Sequence, residues 1–361
     1  FFALALYKAQ NGSSAPRPMG LVTDSQPGVP LVAFLAPSHV PLCPKPQCTS
    51  LVPGSCTLLQ QRKKAHRLHG LGEKPGHHYS FAYNRGTLQS VRTLPIRAVI
   101  FYQGESDILG SSVYNCRQRA LVSWIRSTWG PQVPFIFTVV AGVKEACGTA
   151  PFVRQEQLKL RNAPTVPFVG CATAHDLGHP DDIHPPDKRE VGRRLALAAQ
   201  AVVYGLPNVI HEGPVLQSVK VLNETSSEVT VLFRFGSRGP IDAQPYHLGG
   251  TSNCVQCCRV NPFLFSFVDQ VTDDTTAVPL HSPTVSCNVS TPPKWTRGHH
   301  ISVDQSRVEV KVSPPRNGPG VLPRYVRFSY EDEPQCGFYN AHGLPALPFH
   351  VRIPESWDNH G

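Results

Sequence analysis

The sequence has no uninterrupted run of about 18 apolar residues, so we expect no membrane-spanning helix. Charged residues make up only 16% of its 361 residues, and hydrophobic residues make up 40%. Since soluble domains average about a quarter charged residues, this composition argues against a disordered chain or a coiled coil. The balance of 34 basic and 25 acidic residues gives a net charge of +9. Only residues 61–64 form a tight basic run, so we do not expect nucleic acid to be a partner.

Methionine is almost missing, since Met19 is the only one and the chain does not begin with it. The apolar stretch Phe1–Leu6 has neither the basic start nor the cleavage site of a signal peptide. We interpret it as the interior of a helix and expect an N-terminal portion to precede it. The 36 prolines are about twice the average share, which predicts a loop-rich chain with short elements.

Cysteines number 11, and Asn-x-Ser/Thr sequons occur at Asn11, Asn223 and Asn288. Together they favour an oxidising compartment, so we expect a secreted or lysosomal glycoprotein with disulfides. The odd count leaves at least one thiol unpaired within the chain. The positions are Cys43, Cys48, Cys56, Cys116, Cys147, Cys171, Cys254, Cys257, Cys258, Cys287 and Cys336.

Strands and helices are predicted to alternate between residues 96 and 204. Buried strands are expected at 20–23, 96–102, 135–140 and 166–171. Residues 1–10 and 113–125 have helical spacing, and Asp187 with Glu190 has the pattern of a capping box, which predicts a helix over 191–204. This pattern predicts a three-layer α/β domain with a mostly parallel sheet over residues 1–205. Residues 36–95 have little periodicity and remain poorly defined.

The pattern changes after residue 205. Strands are expected at 215–222, 229–235, 302–312 and 321–330, without comparable helical periodicity. We therefore predict a second, β-rich domain over residues 206–361. It carries Cys254-x-x-Cys257-Cys258, which we interpret as disulfide cysteines because no second Cys or His pair at zinc-finger spacing accompanies them.

Two polar motifs lie where strands of the α/β domain are predicted to end, which is where open α/β enzymes keep their chemistry. Residues 181–188 read Asp-Asp-Ile-His-Pro-Pro-Asp-Lys. His184 has the position of a general base, and Asp181 can accept its Nδ1–H. The adjacent Asp182 is an alternative acceptor for the same Nδ1–H. Taken alone, the pattern is more typical of a surface histidine beside helix-capping aspartates.

The other motif, residues 102–107, reads Tyr-Gln-Gly-Glu-Ser-Asp. Gln103 is a candidate donor to a developing oxyanion, and Gly104 permits a tight turn. Glu105 is a candidate for orienting a neighbouring side chain. An ordinary strand-to-loop turn explains these residues equally well. No P-loop and no Gly-x-Ser-x-Gly nucleophile elbow occurs, and we do not expect Ser106 to be a nucleophile.

In this order and spacing, the two motifs resemble the sialate O-acetylesterase family of SGNH-type hydrolases. Residues 102–107 resemble its Trp-Tyr-Gln-Gly-Glu-Ser-Asn block, and residues 181–197 resemble its Asp-Asp-Ile-His-Pro…Lys…Glu-Val-Gly-Arg-Arg-Leu block. Weaker similarity covers residues 18–34 and 336–350. The resemblance implies an SGNH-like fold and a serine esterase that removes O-acetyl groups from sialic acids without metal or organic cofactor. It also implies that His184 is the base, Asp181 its orienter and Gln103 an oxyanion donor.

The sequence departs from the family pattern at three places. The family's Gly-Gln-Ser-Asn nucleophile block does not occur in it. The family's Trp-Gly-Gly segment is replaced in this sequence by Gln26-Pro27-Gly28. Because proline has no N–H, only Gly28 of the two glycine positions remains as a backbone donor. The Trp-Asn-x-Met-Ile helix has no counterpart in residues 36–95. These departures leave the activity of this chain open.

Two other interpretations therefore stand beside the esterase. One is a catalytically inactive, glycan-binding relative that kept the fold and lost the nucleophile. The other, more distant, is a metal hydrolase that uses His179, Asp181, Asp182 and His184. The preferred O-acetyl position, the disulfide pairing and the oligomeric state do not follow from the sequence.

Overall fold

The computed structural model describes most of the chain in separate ranges. These ranges are residues 1–10, 18–25, 28–39, 43, 84–142, 149–179, 182–225, 227–236, 241–245, 261–268, 295–315, 321–334 and 336–354. They form two compact units. The first unit comprises residues 1–141, 152–174 and 185–211, and the second comprises residues 142–151, 175–184 and 212–361. Both units are discontinuous in sequence, and the predicted division at residue 205 stays a prediction.

The first unit is built on three parallel strands in the order β1-β2-β3. The strands are β1 (Val99–Phe101), β2 (Phe135–Val139) and β3 (Val169–Thr173). Its helices are α1 (Phe2–Ala9), α2 (Tyr114–Trp129), α3 (Ala150–Arg161) and α4 (Lys188–Val202). Shorter helical segments are the 3₁₀ helices Leu31–Phe34 and Glu105–Val113 and the π-helical turn Asn84–Leu88. The alternation of strand and helix confirms the predicted α/β class.

The middle strand β2 is fully buried, and Phe135, Ile136 and Val139 are each inaccessible to solvent. A strand flanked by parallel neighbours is covered on both faces, which is why its sequence is a continuous apolar run. Strand β1 is shorter than predicted and only half-buried. The predicted strand 20–23 is wrong, because Leu21 is 59% exposed and the segment forms no strand.

The described strands of the second unit pair in the antiparallel direction, which confirms the predicted β-rich region. Its described strands form two four-stranded sheets, β4-β5-β10-β9 and β13-β11-β7-β8, and the pair β12-β6. The strands are β4 (Val215–Glu224), β5 (Val229–Gly236), β6 (Ile241–Pro245), β7 (Phe263–Ser266), β8 (Thr296–Arg297), β9 (His300–Asp304), β10 (Arg307–Val312), β11 (Tyr325–Phe328), β12 (Cys336–Asn340) and β13 (Phe349–Arg352).

Aromatic side chains fill the core of the second unit. Phe233 and Phe263 lie with ring centroids 4.4 Å apart, and Phe328 stacks on Phe338 at 5.5 Å. Alternation along β10 places Val308, Val310 and Val312 in the same core. Such ring pairs stabilise a core beyond the area that they bury.

The predicted single strand 302–312 is wrong, because it is a hairpin of β9 and β10. Gln305 adopts a positive φ of 51° at the turn between them. The cysteines 254–258 and Cys287 lie outside the described residues, as do Asn11, Asn288 and Asp181. No helix in the described ranges combines the length and hydropathy that crossing a membrane requires.

Candidate active site

Gln103 follows β1 and is buried, and its side-chain amide is fully engaged within the first unit. Its Nε2 donates to the backbone oxygen of Val29 at 3.2 Å and to Asp107 Oδ2 at 2.7 Å. Its Oε1 accepts the Tyr114 hydroxyl at 2.9 Å. Because an amide nitrogen carries two hydrogens, an oxyanion role for Gln103 requires one of these bonds to break. In this arrangement, Gln103 connects β1 to the segment that follows Gly28.

Asp107, for which no sequence pattern predicted a role, is the centre of the same network. It is 4% exposed and accepts the backbone N–H of Leu31 at 2.7 Å. Arg117, on α2, is 3.4 Å from its other oxygen. Burial raises the pKa of the Asp107 carboxyl, while the Leu31 N–H, Gln103 and Arg117 oppose that shift. The network therefore stabilises a buried carboxylate through three donors.

Gly104 lies where side chains from two elements converge. A Cβ at this position would be 2.4 Å from Val140 Cγ1, 3.0 Å from Gln157 Nε2 and 3.2 Å from Val153 Cγ1. Only glycine leaves the room that this packing needs. Gly104 therefore allows close packing against Val140, which follows β2, and against α3, while its predicted role in a tight turn stays a prediction.

Glu105 begins the 3₁₀ helix after Gly104 and is half-buried. Burial raises the pKa of the Tyr102 hydroxyl, and the Glu105 charge raises it further. Gly28 is exposed at a turn with a positive φ of 72°, a conformation that favours glycine. The next residue, Val29, is the one that Gln103 holds.

Helix α3 supplies two buried polar residues that the sequence analysis missed. Gln157 donates to the Gln103 backbone oxygen at 2.9 Å and accepts the Val140 N–H at 3.0 Å. Arg154 donates to the backbone oxygens of Val140 and Ala141, both at 3.1 Å. These bonds satisfy the backbone groups at the end of β2. Polar residues on a helix carry no sequence signal for such a role.

His184 and Asp182 form a hydrogen-bonded pair within the second unit. The His184 ring Nδ1 is 2.9 Å from Asp182 Oδ1, and the His184 backbone N–H donates to the same oxygen at 2.8 Å. When Nδ1 donates, the neutral ring carries its lone pair on Nε2, as a general base requires. The His184 side chain is 72% exposed. These bonds to His184 lower the pKa of the Asp182 carboxyl. The predicted orienter, Asp181, lies outside the described residues.

The helix after this motif is fixed at its start. Asp187 caps α4 by accepting the Glu190 N–H at 2.9 Å, which confirms the predicted cap. The Glu190 carboxylate binds Arg193 and Arg194 instead of closing a capping box. The buried Arg194 also donates to the Thr173 oxygen at 2.8 Å, which ties α4 to the end of β3.

Asp176 is another buried carboxylate near the end of β3 in sequence, and it was also missed. It is fully buried in the second unit and accepts the Tyr339 hydroxyl at 2.8 Å. Within the described ranges, no group of three or more His, Cys, Asp or Glu side chains is placed to hold a metal ion. His179, Asp182 and His184 therefore do not form a three-ligand cluster among themselves, and Asp181, the fourth residue of the metal-hydrolase interpretation, lies outside the described residues.

A cavity of about 600 Å³ in the first unit contains none of the predicted site residues. It lies against α2, beside the disulfide between Cys43 and Cys116. Its lining residues are Cys43, Cys116, Arg119, Ala120, Val122, Ser123, Arg126, Ser127, Pro131, Thr165 and Val166. We therefore do not assign the active site to this cavity.

Comparison with known proteins agrees with the motifs. Residues 63–201 match the family model described as carbohydrate esterase, sialic acid-specific acetylesterase. Human sialate O-acetylesterase is 28% identical over 225 residues, which is 57% of this chain and 39% of that protein. The mouse enzyme is 30% identical over 155 residues, 37% of this chain and 28% of that protein.

A solved structure, that of a carbohydrate acetylesterase from Xanthomonas citri, has the same fold. It superimposes with a TM-score of 0.63 at 20% identity, covering 97% of this chain and 64% of that one. The chain spans about two fifths of the length of the human protein that it matches. The chain is thus similar to the sialate O-acetylesterases over these residues, in agreement with the resemblance of its two motifs.

Proposed function

We propose that the protein containing this chain is a serine-type sialate O-acetylesterase that hydrolyses O-acetyl esters on sialic acids. The family-model match and the named relatives support this proposal. The chemistry of the two motifs supports it independently, because acyl transfer needs a base, an orienting carboxylate and donors for an oxyanion. The proposed substrate is an O-acetylated sialic acid, free or on a glycan.

The observation that carries the proposal is the contact between His184 and Asp182. The carboxylate fixes the ring so that Nε2 can take the proton of a serine hydroxyl, and it stabilises the imidazolium that forms. The serine oxygen then bonds to the acetyl carbon, and the sugar oxygen leaves with the proton from His184. Water, activated by the same ring, hydrolyses the acetyl-serine and releases acetate. The serine is expected in a Gly-Gln-Ser-Asn block, which these 361 residues do not contain.

The supporting roles follow from the hydrogen bonds around the first motif. Gln103 and Asp107 bind Val29 and Leu31, which supports the assignment of the preceding Gly28 as the candidate backbone donor. In this proposal Gln103 positions that segment and, after losing one bond, donates to the oxyanion. Glu105 and Gly104 maintain the turn that carries Gln103.

The test is release of acetate from O-acetylated sialic acid by the natural protein that contains this sequence. His184→Ala should lower kcat by about a million-fold, because the nucleophile loses its base. The variants Asp182→Asn and Asp181→Asn decide which carboxylate orients the His184 ring. The variant that replaces the orienting carboxylate should lower kcat by roughly ten thousand-fold. Exposed Asp304→Asn is the matched control and should leave turnover unchanged. Unchanged turnover in His184→Ala would exclude the proposal.

A second candidate, a glycan-binding relative without catalysis, is favoured by two observations. Both hydrogens of the Gln103 amide are used within the first unit, and the sequence has no nucleophile block. This candidate predicts that sialoglycans bind without acetate release. Acetate release by the natural protein that is lost in His184→Ala would exclude it.

We also propose that the protein is secreted or lysosomal. The disulfide between Cys43 and Cys116 supports this, because disulfides persist in oxidising compartments. Retention of a fluorescent fusion of the natural protein in the cytosol would contradict it.

A further inference from the structure

Asn223 lies near the end of the long strand β4, directly before the turn into β5. In a regular strand, residues 221 and 223 point to the same face of the sheet. Val221 is part of the apolar core, so a regular strand would direct Asn223 toward that core. The register of β4 against β5 instead shifts between Val221 and Asn223, which indicates a β-bulge. As a result Asn223 is exposed.

The end of this hairpin is held by residues other than Asn223. The Thr225 backbone N–H donates to the Glu228 oxygen at 2.8 Å, and the Thr225 hydroxyl accepts the Glu228 N–H at 2.9 Å. Glu228 also binds Lys311 at 2.7 Å and His299 at 3.0 Å. Among the described residues, none forms a hydrogen bond with the Asn223 side chain. A bulky group on Asn223 therefore breaks no contact that holds the turn.

Strand β4 has a neighbour on one side only among the described strands, since the sheet order is β4-β5-β10-β9. A ten-residue strand with an open edge presents unpaired backbone groups to other chains and is an aggregation hazard. Bulges and charged side chains blunt such edges, and β4 has two register shifts and an exposed Lys220. A glycan near the end of the strand would add a bulky, solvated cover.

From these observations we propose that Asn223, in the sequon Asn223-Glu224-Thr225, carries an N-linked glycan that covers the edge of β4 that has no neighbour among the described strands. The bulge exposes the acceptor, and Thr225 serves both the sequon and the turn. The proposal rests on passage through the secretory pathway and does not depend on esterase activity. A failure to find esterase activity therefore does not contradict the glycan at Asn223, and an absent glycan does not contradict esterase activity.

The test is the glycan occupancy of Asn223 in the full chain secreted from mammalian cells behind a secretion leader. Peptides are mapped after enzymatic removal of N-glycans in heavy-oxygen water, which converts each occupied Asn to labelled Asp. We expect label at Asn223. An unlabelled Asn223 would overturn the proposal, whether or not Asn11 and Asn288 are labelled.

Two variants separate the glycan from the turn. Asn223→Gln removes the acceptor and keeps the Thr225 bonds, so the protein should lose one glycan and migrate faster on a gel. Thr225→Ser keeps both the sequon and the hydroxyl and should retain the glycan. In sedimentation velocity, Asn223→Gln should form larger species than Thr225→Ser at equal concentration. Identical sedimentation of the two variants would show that the glycan does not cover the edge.

Discussion

Among single residues, Asp107 has the strongest structural role in the candidate site. Its carboxylate receives the Leu31 N–H, the Gln103 amide and Arg117, and all of these groups are buried or partly buried. Asp107→Ala leaves these three donors without their acceptor, and one of the three, the Arg117 guanidinium, is charged. We expect the free energy of unfolding to fall by about 3–5 kcal/mol, as for other broken buried ion pairs.

Urea unfolding measures this loss, with Asp304→Ala as the matched control. Asp304 is exposed on β9, so its replacement should change stability by less than about 0.5 kcal/mol. Equal stabilities of the two variants would show that the Asp107 network contributes nothing net. Asp107→Asn should lie between them, because an amide oxygen still accepts the Leu31 N–H.

Gly104 is the second residue for which the structure predicts a steric effect. In Gly104→Ala the new methyl group meets Val140 Cγ1, which should cost about 1–3 kcal/mol of stability through overpacking. Adding Val140→Ala removes the clashing methyl groups, so the double variant should lose less than the sum of the two single variants. Thermal unfolding of all three measures this coupling.

Gly20→Ala is the matched control for that experiment. Nothing lies within 4 Å of a Cβ at Gly20, and its backbone has no positive φ. We expect its melting temperature to be unchanged. Strict additivity of Gly104→Ala and Val140→Ala would contradict the proposed clash.

At the scale of elements, sequence periodicity predicted best where one physical demand dominates. The run at 135–140 is β2, because a strand buried on both faces must be apolar throughout. The cap at Asp187 marks the start of α4, although the helix begins three residues before the predicted Val191. Helix α3 was missed, since its buried Arg154 and Gln157 break the apolar stripe that identifies a helix.

The candidate site shows the same division. Local sequence located Gln103 and His184, because polar residues after strands are distinctive in an α/β chain. It could not show that Gln103 bonds to Val29, 74 positions earlier, or that Asp182 contacts the His184 ring. Such pairings depend on tertiary packing and on the path of a loop, which no local pattern specifies.

The cap of α4 supports a prediction about an element. Asp187→Ala removes the acceptor of the Glu190 N–H and the negative charge at the helix start. We expect a loss of about 1 kcal/mol of unfolding free energy, and faster amide exchange in the first turn of α4. Arg189→Ala, at an exposed position in the same turn, should change neither measurement. Slow exchange at Glu190 in Asp187→Ala would contradict the role of the cap.

At the scale of a whole unit, the buried position of His350 leads us to predict that low pH lowers the free energy of unfolding of the β-rich second unit. The ring lies on β13 among Trp295, Tyr325 and Tyr330, at centroid distances of 5.6–5.9 Å. Among the described residues, its buried Nε2 has no hydrogen-bond partner. Burial, and then the charge of Arg327, lower the pKa of His350 from 6.5 to about 4.

Because the unfolded chain takes up this proton near pH 6.5 and the folded unit only near pH 4, stability falls as pH drops between these values. The loss from this group is roughly 3 kcal/mol, complete near pH 4 and absent above pH 6.5. His350→Gln does not titrate, so its stability should depend less on pH in this window. Amide exchange of β11 and β13 measures the effect locally. His300→Gln, at an exposed position, should keep the wild-type slope; an equal slope in His350→Gln would assign the acid sensitivity to other groups.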